Sequence, residues 1–185
     1  MLTDIRRYKK VFQAQNGKEI TFRIPQKTDV NALLEFINKL ADEDTFISVR
    51  KRKNKKEEIE YLAKITQALK QKKGFTITAF YQNKVVANGE VNRMGERREH
   101  VGLLGISVAR DFRDQGIGEW LMKELIRIAK EILKVKLITL EVFSNNSRAI
   151  HLYQKLGFGE CGCVPKAINY KNKLVDNIIM YLNLT

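Results

Sequence analysis

The sequence predicts a mixed α/β (α+β) fold: a mostly antiparallel, twisted sheet of about seven strands with helices on both faces, plus an N-terminal hairpin. Three features of the 185 residues lead there. Short runs that alternate apolar and polar residues, the period of a half-buried strand, recur near both ends of the chain and in its middle. Between them lie stretches whose apolar residues return every three or four positions, the period of one helix face. The third feature is residues 101–132, where an apolar strand runs through a glycine-bearing turn directly into a helix.

Residues 11–25 (VFQAQNGKEITFRIP) hold two alternating runs around Asn16-Gly17, a pair that suits a tight hairpin because both residues tolerate positive φ. Asp29 is placed to cap a helix carrying Leu33, Leu34, Ile37 and Leu40, which ends in the polar run 41–45. The basic run 50–56 (Arg50, Lys51, Arg52, Lys53, Lys55, Lys56) precedes a second helix over residues 57–73, with Ile59, Leu62, Ile65 and Leu69 on one face and Gly74 as its stop. Residues 75–81 and 85–93 read as strands joined by Gln82-Asn83-Lys84, with a further turn at 94–98. Residues 101–108 (VGLLGISV) are apolar but include Gly102, Gly105 and Ser107, small residues that let something approach the backbone. In the helix that follows, Ile117, Leu121, Leu125, Ile128 and Ile132 share one face. Residues 137–143 (LITLEVF) alternate again. Asn145-Asn146-Ser147 offers cap chemistry for a short helix bearing Ala149, Ile150, Tyr153 and Leu156, stopped at Gly157. Residues 158–164 and 174–184 close the sheet. No repeat or linker divides the chain, so a single domain spanning 1–185 is expected.

A hydrophobic content of 44% with 9% aromatics is ordinary for a globular domain. No apolar run approaches the roughly 20 residues of a membrane span, and residues 1–10 lack the apolar core of a signal peptide. A cytoplasmic protein without membrane contact is expected. The net charge of +13, from 34 Lys and Arg against 21 Asp and Glu, favours polyanionic partners. Nucleic-acid or ribosome association would rest on that charge alone, because zinc-ligand spacings and RNP-like aromatic motifs are missing. Cys161 and Cys163 are the only cysteines. Their C-x-C spacing sets both on one side of a strand, unlike redox or zinc pairs, so free thiols and no metal are expected.

The strand–turn–helix unit creates a chemical opportunity. The first N–H groups of a helix have no partner inside it and sit at the positive end of its dipole. In Arg113-Asp114-Gln115-Gly116-Ile117-Gly118 the glycines clear side chains from the turn, so successive N–H groups can close on a phosphate, with Arg113 adding charge at the rim. A P-loop needs Gly-Lys-Ser/Thr and a dinucleotide fingerprint needs G-x-G-x-x-G, whereas Glu119 and Trp120 follow here. The pattern R-x-x-G-x-G after an apolar strand resembles instead the acyl-CoA-binding motif of the GNAT superfamily of N-acyltransferases, Q/R-x-x-G-x-G/A. A second stretch, EVFSNNSRAIHLYQKLGF at 141–158, resembles a later block of the same superfamily, N-x-x-A-x-x-L-Y-x-K-x-G-F. Asn146, Ala149, Leu152, Tyr153, Lys155, Gly157 and Phe158 fill that pattern, and the resemblance extends over residues 75–184.

The resemblance implies an N-acetyltransferase using acetyl-CoA, in which the strands at 100–108 and 136–143 splay apart and the cosubstrate enters the gap. Backbone groups of Ile106, Ser107 and Val108 would meet the pantetheine arm. Arg113, Asp114, Gln115, Gly116, Ile117 and Gly118 would hold the pyrophosphate, and Asn146 would join them. Tyr153 matches the general acid that meets the departing thiolate. The loop between the first two helices borders the acceptor site in the superfamily, which makes Glu43, Asp44 and the basic run 50–56 candidate acceptor contacts. The base does not carry over, because the position at which histone-modifying members have Glu is Gly102. Glu90, Glu99, His100, Glu141 and water remain open for that role. Freeing an α-amine of pKa about 8 at pH 7 costs ~1.4 kcal/mol, against ~4.6 kcal/mol for a lysine near 10.4, so a site without a dedicated base suits a protein N-terminus or another weakly basic amine. Two readings compete with an enzyme: a CoA-binding regulatory module without turnover, and a basic nucleic-acid-associated protein. The acceptor and the oligomeric state are left open by the sequence.

Overall fold

The computed structural model describes residues 7–185; residues 1–6, part of the stretch read for a signal peptide, lie outside the described residues. The strands are β1 (Lys9–Gln13), β2 (Glu19–Arg23), β3 (Gly74–Tyr81), β4 (Lys84–Arg93), β5 (Val101–Val108), β6 (Leu137–Phe143), β7 (Gly159–Tyr170) and β8 (Lys173–Asn183). The helices are α1 (Val30–Asp42), α2 (Lys55–Lys70), α3 (Ile117–Glu131) and α4 (Ser147–Lys155). One sheet takes all eight strands in the order β1-β2-β3-β4-β5-β6-β8-β7. Each neighbouring pair is antiparallel except β5–β6. The predicted class holds, with the hairpin incorporated into the sheet as its first two strands.

Strand alternation divides the helices between two faces. Phe75, Ile77, Val91, Ile138 and Leu140 turn to one side, where they bury Leu121, Leu125 and Ile128 of α3. On the other side Leu33, Phe36 and Leu40 of α1 and Leu62 and Ile65 of α2 close over Phe80 and Val85. The second face of β4 is polar: Asn88, Glu90 and Asn92 alternate with buried Ala87, Gly89 and Val91. Helices α1 and α2 therefore cover a sheet surface that carries functional groups.

Several boundaries differ from the sequence expectation for local reasons. Helix α2 starts earlier because Asn54 caps it: its Oδ1 accepts from the Glu57 N–H at 3.0 Å, while the Glu57 carboxylate accepts from the Asn54 N–H at 2.9 Å. Gly74 is not the stop of that helix but the first residue of β3, where a Cβ would fall 2.1 Å from Asn92 Oδ1. Strand β7 runs past 164 to Tyr170, with register shifts between Glu160 and Gly162 and between Val164 and Ile168. Pro165, which cannot donate to a ladder, sits within the second irregularity. Cys161 lies in the first, so the simple alternation expected for Cys161 and Cys163 is broken; both are exposed free thiols. No helix among the described residues is long and apolar enough to cross a membrane.

Asp29 does not cap α1. Its carboxylate instead accepts from both terminal nitrogens of Arg23, at 2.6 and 2.8 Å, and from the Gln26 N–H at 2.7 Å. The Arg23 guanidinium lies 3.8 Å from the centroid of the Phe80 ring. Burial alone would raise the Asp29 pKa, but the bonds from Arg23 and Gln26 outweigh it and hold the carboxyl below its usual range. Asp29→Ala is therefore expected to cost about 3 kcal/mol at neutral pH, the scale for breaking a buried pair. Because the folded pKa is the lower one, this contribution is complete above the unfolded value near 3.9 and is lost as pH falls through the folded value. Urea unfolding of both proteins at pH 7 and at pH 3 measures it; equal gaps at the two pH values would contradict the pairing.

Candidate active site

The parallel pair β5–β6 is joined at only three positions, Val101 to Leu137, Gly102 to Ile138 and Leu103 to Thr139. Beyond them β5 stays with β4 as far as Val108, and β6 stays with β8 as far as Phe143. The two central strands therefore splay, as the resemblance implied. A cleft of about 1610 Å³ occupies the opening and continues over the polar face of β4 to α1 and α2. Ladder parity decides which backbone groups face it. The Ala109 N–H donates to the Val86 carbonyl and the Met94 N–H to that of Val101. Alternation then commits Leu103, Gly105 and Ser107 to β4 and turns Leu104, Ile106 and Val108 to the open edge. Of the three residues expected there, Ile106 and Val108 qualify. Ser107 does not: its backbone is spent on the β4 ladder and its hydroxyl lies 3.5 Å from the Asn88 carbonyl.

At one end of the opening stands the N-terminus of α3. Its cap, Gly116, has φ 80°, the left-handed region that favours glycine. The Trp120 N–H is the first to bond back, to the Gly116 carbonyl at 2.9 Å, which leaves the N–H groups of Ile117, Gly118 and Glu119 for an anion. A Cβ on Gly118 would stand 3.6–3.8 Å from Val108, Ile106 and Leu152, facing the gap between β5 and α4. Glu119 would repel an anion here, but Lys123 (2.8 Å) and Lys155 (2.7 Å) bond its carboxylate and hold its pKa down to about 2. Arg113 is turned inward: Nε donates to the Val108 carbonyl at 3.0 Å, and Nη2 lies 3.3 Å from Thr45 Oγ1 and 3.6 Å from the Glu43 carboxylate. It ties the turn to β5 and to the α1–α2 loop. Asp114 pairs with Arg148 of α4 at 2.5 Å. The Gln115 side chain points away, to Asn16 and to the Asp111 carbonyl, and Ile117 is a core residue. Arg113, Asp114, Gly116 and Gly118 thus line the cleft, whereas the side chains of Gln115 and Ile117 do not. Arg148 was missed in the sequence, where one arginine among 34 cationic residues carries no signal.

Helix α4 forms the opposite wall. Asn146 caps it by accepting from the Ala149 N–H at 3.3 Å. Tyr153 is 7% exposed, packs on Phe158 and lines the cleft, and no protein group bonds its hydroxyl among the described residues. Burial pushes its pKa up to about 12. Where the α1–α2 loop borders the cleft, Phe46 stacks on Tyr170 at 4.7 Å, beside Phe143.

The four candidate bases separate cleanly. Glu99 and His100 precede β5, at the end away from the splay, and neither lines the cleft. Glu141 lines it but is exposed and accepts from Asn177 Nδ2 at 2.6 Å. Glu90 lies at the end of a directed chain: Thr78 Oγ1 donates to Asn88 Oδ1 (2.7 Å), Asn88 Nδ2 to the Tyr61 oxygen (3.0 Å), and the Tyr61 hydroxyl to Glu90 Oε2 (3.2 Å). Burial raises its pKa above the ordinary carboxylate range. Its ladder partner Gly105 leaves the space beside it empty. Gly102, the position compared for a base, faces Val91 and Val135 on the α3 side, where an acid would meet the core. Tyr61 was missed, since a tyrosine on a helix face reads as packing until its partner is known. In the basic run, Arg52 pairs with Asp42 and Lys53 with Glu57, and Asn38 clasps the Lys53 backbone.

The model of the acetyltransferase (GNAT) family matches residues 34–158. The L-amino acid N-acetyltransferase AaaT of Escherichia coli (strain K12) is 40% identical over 84 residues, 45% of this chain and 52% of its own. The spermine/spermidine N(1)-acetyltransferase of Bacillus subtilis (strain 168) is 43% identical over 47 residues, 25% of this chain and 31% of its own. The chain thus spans about half or less of the length of the curated relatives it matches. Among solved structures, an acetyltransferase of the GNAT family from Streptococcus pneumoniae superposes with a TM-score of 0.80 at 24% identity, covering 89% of this chain and 99% of that one, a likeness of fold.

Proposed function

The chain belongs to the GNAT family of acetyltransferases, and we propose that it moves the acetyl group of acetyl-CoA to a primary amine by direct attack. The observation that carries this reading is the splay of β5 from β6 beside a helix N-terminus opened by Gly116 and Gly118. The open backbone edge at Ile106, continued by the Val108 N–H beside a carbonyl that Arg113 already holds, suits the amides of a pantetheine arm, which can replace the missing ladder. The N–H groups at residues 117–119, with Arg148 nearby on α4, suit a pyrophosphate. Gly118 is where a side chain would intrude on that cradle, and Gly116 supplies the left-handed turn that opens it.

The acceptor enters over the polar face of β4. Glu90 removes a proton from the ammonium, directly or through water, and the free amine attacks the thioester carbonyl. As the tetrahedral intermediate collapses, the C–S bond breaks and Tyr153 donates to the departing thiolate. Burial keeps Tyr153 protonated throughout the neutral range, and the same apolar surroundings raise the basicity of the thiolate that it meets. The names of the two relatives offer two acceptor classes, amino acids and polyamines; a peptide N-terminus is the third. A screen of such amines, read by thiol release from acetyl-CoA, tests the proposal. Turnover with none of them, in a protein that binds acetyl-CoA, leaves the regulatory-module reading.

Glu90→Gln is expected to lower kcat/KM at pH 7 by about 10²-fold, within the usual range for general base catalysis. In the wild type the rate rises with pH as Glu90 deprotonates, above the ordinary carboxylate value because burial raises it. That limb should vanish in the variant while the amine's own limb stays. A pH–rate profile that keeps both limbs would remove Glu90 from the mechanism.

A further inference from the structure

Glu58 stands one helical turn before Tyr61 on α2 and is only 5% exposed. It lines the same cleft as Tyr61 and Glu90. No hydrogen bond or ion pair reaches its carboxylate among the described residues. Lys53 attracts it through space but is itself bonded to Glu57 at 2.9 Å. A carboxylate taken out of water without a partner is costly, and this one is aimed into a cavity rather than into the core. Desolvation accordingly raises its pKa.

Three cations of the cleft wall are already matched. Arg113 faces Glu43, Arg148 holds Asp114, and Lys155 holds Glu119. Among the described residues Arg50 and Lys64 have no ion-pair partner, and both are exposed at the rim. An acceptor bearing a carboxylate finds no unpaired buried cation in this half of the cleft. An acceptor bearing a second ammonium finds an unpaired buried anion.

We propose that Glu58 is a recognition site for a second ammonium group, so that the preferred acceptor is an aliphatic diamine or polyamine, one amine presented to Glu90 and the other held by Glu58. This rests on the reading of the same cleft as the acceptor site of an acetyltransferase. It distinguishes among the acceptor classes by charge: an amino acid presents the wrong sign to Glu58, and a monoamine leaves it unpaired.

The test has two arms. In the first, thiol release from acetyl-CoA is followed with diamines of three, four and five carbons and with monoamines of equal length. The wild type should show kcat/KM at least about 10-fold higher for the best diamine, the scale of one charge-assisted hydrogen bond, and Glu58→Gln should bring that ratio to about one through KM. In the second arm, calorimetry measures 1,4-diaminobutane binding to both proteins without acetyl-CoA, and thermal melts confirm that the near-isosteric variant folds. Glu58-dependent binding is expected. If no amine turns over but diamine binding still depends on Glu58, the transferase reading fails and the recognition site stands. If amines are acetylated without preference for a second ammonium, if amino acids or peptide N-termini are preferred, or if Glu58→Gln lowers all acceptors equally, the recognition site is overturned and the transferase reading stands.

Discussion

Gly118→Glu is expected to lower acetyl-CoA affinity by about a hundredfold or more while the protein keeps its fold. The expected size follows from placing a carboxylate where the N–H groups of Ile117, Gly118 and Glu119 would bond phosphate oxygens, each such charge-assisted bond being worth more than a neutral one. The fold should survive because a Cβ at Gly118 meets Val108, Ile106 and Leu152 at 3.6–3.8 Å, ordinary contact distances, and lies in the first turn of α3. Gly116 is a poorer site for this experiment. Its φ of 80° strains any other residue, and a Cβ would press on the Phe12 ring at 3.3 Å. Gly118→Ala supplies the control: a methyl group without charge should leave binding largely intact and stabilise the helix by up to about 1 kcal/mol. Calorimetry with acetyl-CoA and circular dichroism of both variants decide the matter. Unchanged affinity in a folded Gly118→Glu protein would reduce the turn to a connection between β5 and α3.

Tyr153→Phe is expected to lower turnover by about 10²–10⁴-fold and to leave the affinity for CoA nearly unchanged. The ring stays, with its packing on Phe158, and only the hydroxyl is lost. Because no protein group bonds that hydroxyl among the described residues, its removal strands no partner, and stability should hold or rise slightly. This separates a chemical role from a structural one, since a structural hydroxyl would show its loss in the melting temperature. An acetyl donor with a more acidic thiol needs less help in leaving and should recover part of the rate. Full turnover with acetyl-CoA under conditions where chemistry limits the rate would return Tyr153 to the core as a packing residue, with water protonating the thiolate.

Much of the cleft was legible because its parts are local. The turn at Asn16-Gly17 forms the predicted hairpin, though only Gly17 takes the positive φ, 79°, that the pair was expected to share. Gly116 and Gly118 open α3 because helix ends are set within one turn, and Asn146 caps α4 as its sequence neighbours suggested. Tyr153 follows from its place four residues after Ala149 on a short amphipathic helix. The boundaries that moved also moved for short-range reasons. Asn54 competes for the start of α2, and Asp29 is drawn from its capping role by Arg23, six residues earlier.

The sequence by itself determined the order of elements, the glycine-opened start of α3 and the place of Tyr153 on α4. Only the tertiary structure decided which of Glu90, Glu99, His100 and Glu141 meets the cleft, that Ser107 spends its backbone on β4 while Ile106 does not, and that Tyr61 and Glu58 belong to the same cavity. The reason is parity. On a strand one residue's difference reverses the face and the edge that it presents, and that parity is fixed by pairing with a strand distant in the chain. Gly102 and Gly105 read alike in the sequence, yet the first faces the core under α3 and the second makes room beside Glu90. Likewise, Glu58 is one of several acids on α2 until α2 docks on the sheet, and only that docking takes its carboxylate out of water without giving it a partner.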